Sequence, residues 1–278
     1  MLSRFNLTII AAIFGGSALL CAAQAKPQER PKPTPAPAAI VPGKGANANM
    51  TADQVAETVV FFYGFPGYVT QPMGRERLNQ IRKTTIEKGR TTVTGADGKT
   101  EQATYQRYVI RGDDLTKEKI RLDQDLPSVK YALIFNDKIF GVYNNTVFAP
   151  RDDTTKAFDN QINHGLEALL RYKENGSTVE LASREKLMGV DYYVLDVTDK
   201  QSRKTRFYVS AKSYRVMMLT YDEAGVKYKR RFYDYNYAQG TLVPYRSVLW
   251  ADDKQVEESE VGTITFGQRV DEGLFSAS

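Results

Sequence analysis

One cysteine and one histidine occur in 278 residues, and each scarcity removes a class of chemistry. Cys21 falls within the first 25 residues, so the chain after it has no thiol and no disulfide. A single imidazole, His164, leaves no basis for a zinc site of the usual Cys/His kinds. A Ser-His-Asp triad would have to use that residue, and no Gly-x-Ser-x-Gly stretch is present to carry a nucleophile. No Gly-rich phosphate loop follows a strand-like run, so a nucleotide site is not signalled. The pattern predicts a protein that is not an enzyme and that needs no cofactor and no metal.

The remaining polar candidates have structural explanations. Asp113-Asp114, Asp152-Asp153 and Asp252-Asp253 stand at predicted turns or helix starts, where aspartate is favoured for its local hydrogen bonds. His164 lies around a predicted helix from Ile162, away from the apolar stripe, and is expected to be exposed. Lys227 to Tyr233 interleaves bases and aromatics, as single-strand nucleic-acid surfaces do. The charge distribution argues otherwise. The chain is +5 with a pI near 9.0, but five Lys and Arg against one Glu precede Met50, so the body from Met50 onward is only +1. No nucleic-acid partner is expected, and the basic run reads as the solvated face of a strand.

The N-terminus has its own texture. Arg4, an apolar run from Leu7 to Leu20 and the small-x-small site Ala23-Gln24-Ala25 predict a secretory signal peptide over 1–25. The apolar run is short for a membrane span, and no later segment is long and apolar enough for one. Cys21 as a lipid-modified N-terminus is the alternative, although lipoprotein leaders carry a small residue before the cysteine and here it is Leu20. Residues 26–49 hold six of the eleven prolines and are expected to be a disordered tether. The folded domain is expected over 50–278.

Within that domain, Thr51 and Gln54 form a capping-box pattern ahead of a helix through Val55, Val59 and Phe62, with Gly64 as its stop. Arg75 to Gln80 predicts a short second helix. A longer one opens at Asp152-Asp153, carries Phe158, Ile162, Leu166 and Leu169 on one stripe, and ends at Asn175-Gly176. Nearly everything else alternates like strand, with Asp97-Gly98 as a hairpin signal. Short links between strands favour antiparallel pairing. Tyr233, Tyr235 and Tyr237 fall on one face by alternation, Gly240 makes a turn, and Pro244 marks an edge or a bulge. Several strands carry apolar groups on both faces, as in Tyr192-Tyr193-Val194-Leu195 and Val216-Met217-Met218-Leu219. Two accounts fit: a sheet covered on both sides, or a concave apolar surface that takes up something greasy. Alternation puts Tyr193, Leu195, Phe207, Met218 and Phe232 on the wall of such a cavity, with Phe158 and Ile162 on the helical side.

The stretches Val190 to Val197, Thr205 to Val209, Phe232 to Pro244 and Val270 to Phe275, with Asn136 to Tyr143 upstream, resemble the outer-membrane lipoprotein carrier, or lipoprotein-sorting (LolA-like), superfamily. The resemblance covers roughly 50–278 and is strongest after 178. It implies a mainly β (α+β) fold: a strongly curved antiparallel sheet forming an unclosed barrel, with helices as a lid over its concave face. It also implies a periplasmic carrier of acyl chains or lipid-modified proteins, working between membrane-anchored donor and acceptor proteins. The Arg-Pro pair that such carriers show near their N-terminal strands has no counterpart here, so no cavity arginine is carried over. An envelope-stress regulatory module that senses lipoproteins through the same fold is the second hypothesis, and a hydrolase is the third.

Overall fold

The computed structural model describes residues 50–64, 74–95 and 98–276. The expected leader and tether (1–49), residues 65–73, 96–97 with the Asp97 of the expected hairpin turn, and 277–278 lie outside the described residues.

Thr51 caps the first helix, α1 (Ala52–Tyr63). Its hydroxyl accepts from the Gln54 amide at 3.2 Å, and the Gln54 side chain accepts from the Thr51 amide at 2.9 Å. Gly64 closes the helix as expected. Thr51→Ala removes one half of this box and is expected to cost about 1 kcal/mol, read from the urea midpoint. A short α2 (Arg75–Ile81) follows.

Thirteen strands then run as one antiparallel sheet: β1 (Thr84–Thr94), β2 (Thr100–Ile110), β3 (Lys119–Asp125), β4 (Lys130–Asn136), β5 (Lys138–Tyr143), β6 (Thr146–Phe148), β7 (Thr178–Leu187), β8 (Val190–Thr198), β9 (Lys204–Ser210), β10 (Val216–Glu223), β11 (Val226–Ala238), β12 (Thr241–Ala251) and β13 (Lys254–Phe266). Their order is β6-β5-β4-β3-β2-β1-β13-β12-β11-β10-β9-β8-β7. Two meanders meet where β1 pairs with β13, and among the described residues β6 and β7 are edges without a further partner, so the sheet does not close into a barrel there. Helices α3 (Asp152–Asn163) and α4 (Leu166–Leu170) are inserted between the two edge strands in sequence.

The expected single helix from Asp152 to Asn175 is in fact broken at His164-Gly165. The His164 amide still reaches back to the Asn160 carbonyl, but Gly165 is extended (φ −80°, ψ −179°), and the chain restarts as α4 in a new direction. Because of the break, Ile162 and Leu169 serve two different cores.

One core packs α1 and α4 on strands β7 to β12. Val55, Val59, Tyr63, Leu169, Leu195 and Phe207 are completely inaccessible there. A smaller one packs Phe158 and Ile162 of α3 on Ile120, Leu122 and Leu133. A third, around Ile134, Phe140 and Phe275, is sealed by the C-terminal 3-10 turn Glu272–Phe275.

The tyrosine row does not keep one face. Asp234 adopts φ 53°, a left-handed conformation inside β11 that breaks the alternation. Tyr233 therefore lies outside, under the Arg246 guanidinium at 4.3 Å. Tyr235 turns inward, where its hydroxyl lies 3.0 Å from that of Tyr63 on α1. Burial pushes the Tyr63 phenol up to about 12 and raises Tyr235 further. Pro244 is in the ladder opposite Tyr235, without an amide to donate. The basic run divides in the same way. Lys229 and Arg231 lie over Trp250 at 5.6 and 5.9 Å, while Arg230 turns inward to Glu257.

Candidate functional site

A cavity of about 280 Å³ lies between the end of α3, the start of α4 and strands β1, β2, β3 and β10 to β13. Its position follows from a change of texture along one row of paired residues. Leu195, Phe207 and Leu219 are opposite one another in β8, β9 and β10, and the next partner, in β11, is Arg230. At that point an apolar face becomes a charged one. On the far side the floor turns apolar again, with Ile120 and Leu122 beneath Ile162.

The charged groups form separate clusters that hold the helices down. Glu167 of α4 accepts from Arg82 at 2.6 Å and makes a shorter contact with Arg111. Burial works to raise its carboxyl, but Arg111 and Arg82 outweigh it and bring the group down to about 2. Arg82 also donates to the Leu242 carbonyl at 2.8 Å and to the Thr241 hydroxyl at 3.0 Å. Arg171, just after α4, is 2% exposed and pairs with Glu118. Burial and the neighbouring Glu167 charge push Glu118 up to about 7, against the pull of Arg171. Arg230 donates to Glu257 at 2.9 Å, and Gln161 of α3 reaches the same carboxylate at 3.3 Å. Burial works to raise Glu257, but Arg230 and these donors hold it below the usual carboxylate range.

His164 is not the exposed helix residue that its position on the wheel predicts. It is 3% exposed, stacks on Tyr221 at 4.0 Å, and shares a 2.7 Å hydrogen bond between Nδ1 and Thr205 Oγ1. Burial, with the nearby Arg203 charge, brings its pKa down to about 4, so the ring is neutral at pH 7. The helix break explains the error. A wheel drawn through 152–175 assumes one axis, and His164 occupies the point where the axis changes.

Of the seven residues expected around an apolar cavity, Ile162 and Phe232 line the one observed. Phe158 is beside it, buried in the small core under α3. Tyr193, Leu195 and Phe207 are packed into the closed core beneath α1 and α4 instead. Met218 is not on that face. An irregularity between Val216 and Met218 places Met218 opposite Tyr208 and Leu219 opposite Phe207, so Leu219 takes the core position. Among the described residues no group of three His, Cys, Asp or Glu side chains gathers to hold a metal ion. The charged lining was missed because Arg107, Arg111, Glu118 and Glu167 read as ordinary surface residues. Only Arg107 in β2 and Arg111, one residue past its end, share a parity that would hint at a common face.

No family model matches the sequence, and neither does any curated protein. Solved structures do match. A DUF1329 family protein from Desulfovibrio piger aligns over 73% of this chain and 92% of its own, with 13% identity and a TM-score of 0.56. A LolA superfamily protein from Nitrosomonas europaea aligns over 82% and 98%, with 13% identity and a TM-score of 0.56. The chain shares its fold with these structures. An outer membrane lipoprotein-sorting protein domain from Vibrio parahaemolyticus shares it too, over 69% and 88%, at 14% identity and a TM-score of 0.52. At these identities the likeness is one of fold, and it agrees with the unclosed, helix-lidded sheet that the sequence resemblance implied. Among the described residues no helix is long and apolar enough to cross a membrane.

Proposed function

We propose that the protein is an exported, periplasmic binding protein of the carrier type, which shelters acyl chains or lipid-modified polypeptides beneath α3 and serves outer membrane lipoprotein sorting. The observation that carries this reading is the lid-covered cavity, in a fold shared with a lipoprotein-sorting domain. Its volume is close to the lower end of small-molecule sites, about 300–1,000 Å³, which suits one chain rather than several. Ile162 and Phe232 are the proposed walls. Phe158 anchors the lid. Its contacts with the sheet are mostly apolar, and α3 joins the anchored α4 through the break at Gly165, where a lid could swing. The leader places the protein across the inner membrane, and no catalytic role is assigned.

The test is an uncharged fluorescent probe such as N-phenyl-1-naphthylamine. It is expected to bind the native protein and to be displaced by an acylated peptide. Ile162→Trp adds bulk to the cavity wall and is expected to weaken probe binding at least about tenfold while the circular dichroism of the sheet is unchanged. A wild-type protein that takes up no probe would overturn the carrier reading in favour of a surface-interaction role.

A further inference from the structure

Around this cavity are five guanidiniums, Arg82, Arg107, Arg111, Arg171 and Arg230, and four carboxylates, Glu87, Glu118, Glu167 and Glu257. Arg82 and Arg111 share Glu167, Arg171 has Glu118, and Arg230 has Glu257. Glu87 accepts from the Tyr105 hydroxyl at 2.8 Å. Arg107 is left over. Among the described residues it has no ion-pair or hydrogen-bond partner, and its Nε is buried without one. It projects from β2 into the cavity, between cross-strand neighbours Glu87 on β1 and Leu122 on β3. Of the atoms lining the cavity, His164 Nε2 is the other buried polar atom without a partner.

A guanidinium is a permanent cation, and one held in a partly desolvated cavity without a direct ion pair is costly. A ligand that brings the missing negative charge removes that cost. The guanidinium fork matches carboxylate and phosphate groups through two parallel hydrogen bonds. The apolar floor of Ile120 and Leu122 lies alongside, with Ile162 of α3 above it. We infer that Arg107 is the headgroup site of the cavity, and that the ligand is a single-chain amphiphile with an anionic carboxylate or phosphate head. This rests on the carrier reading and narrows it: a chain with a neutral head would leave Arg107 unsatisfied.

The probe assay separates the two readings. Dodecanoate, dodecyl phosphate and dodecanol carry the same chain with different heads. Each anion is expected to displace the probe at about tenfold lower concentration than dodecanol, as a charge-assisted pair gives in a desolvated site. The better of the two anions identifies the head as fatty acid or phospholipid in type. Arg107→Gln is expected to abolish the preference and leave the affinity for dodecanol unchanged, whereas Arg107→Lys retains part of it. If dodecanol competes as well as both anions, or if Arg107→Gln keeps the preference, the headgroup site is overturned while the carrier reading stands. A Gln variant that unfolds, together with a wild type that prefers neither anion, would mean that Arg107 is the structural partner of Glu87. If none of the three competes, the carrier reading itself fails.

Discussion

Arg171→Met is expected to lower stability by about 3–5 kcal/mol, the usual result of stranding one member of a buried ion pair. Arg171 and Glu118 are 2% and 4% exposed, so neither can turn to water when its partner is removed. The arginine also donates to the Gly112 carbonyl at 2.6 Å, tying the end of α4 to the turn before β3. Methionine fills much of the space but neutralises nothing. Glu118, already raised to about 7, must then be protonated or hydrated inside the fold. The deficit is therefore expected to shrink as the pH is lowered, because the folded variant takes up a proton readily. Replacing both partners, as Arg171→Met with Glu118→Leu, is expected to recover most of the loss. Urea unfolding at two pH values measures all of this. A single variant within about 1 kcal/mol of wild type would show that the pair is not closed to solvent.

The architecture was legible because strand alternation and turn residues are local signals. The capping box at Thr51 and the stop at Gly64 could be read directly, since each involves residues three or four apart or a single glycine. The antiparallel meander followed from the short links. Three features were not legible, and each depends on a small local departure. The left-handed Asp234 swaps the faces of Tyr233 and Tyr235, and aspartate gives no warning because it is common in turns. The irregularity at Val216 moves Leu219, not Met218, into line with Phe207. The break at Gly165 redirects α4 and buries His164. Alternation predicts the face of a strand only up to its first irregularity, and the cavity walls come after several. The charged lining was hidden for another reason. Arg111 and Glu167 are 56 residues apart, and no periodicity links them before the sheet curves.

Removing the imidazole of His164 is expected to turn a shallow response of stability to pH into a clear slope. His164 has a folded pKa of about 4 against an ordinary 6.5, lowered by burial. A depressed value for a base means that the unfolded chain binds the proton more tightly. Its contribution is therefore complete above 6.5 and lost as the pH falls towards 4, a total of about 3 kcal/mol at 1.36 kcal/mol per unit. Glu118 works the other way. Its folded value is raised from 4.5 to about 7, so its contribution is complete below 4.5 and lost as the pH rises through 7. In the wild type the two slopes oppose each other between 4.5 and 6.5, and the profile there is expected to be shallow. His164→Phe keeps a ring against Tyr221 but cannot be protonated. It also leaves the Thr205 hydroxyl without its partner, which costs about 1–3 kcal/mol at neutral pH. With the imidazole gone, only the Glu118 slope remains in this window, so the variant is expected to gain stability on mild acidification. The gap to wild type should then narrow steadily between pH 6.5 and about 4, the window of the lost titration. Urea midpoints for both proteins across that window decide the matter. A gap that stays constant would mean that His164 is hydrated in the folded state and that the closed position against Tyr221 and Thr205 is wrong.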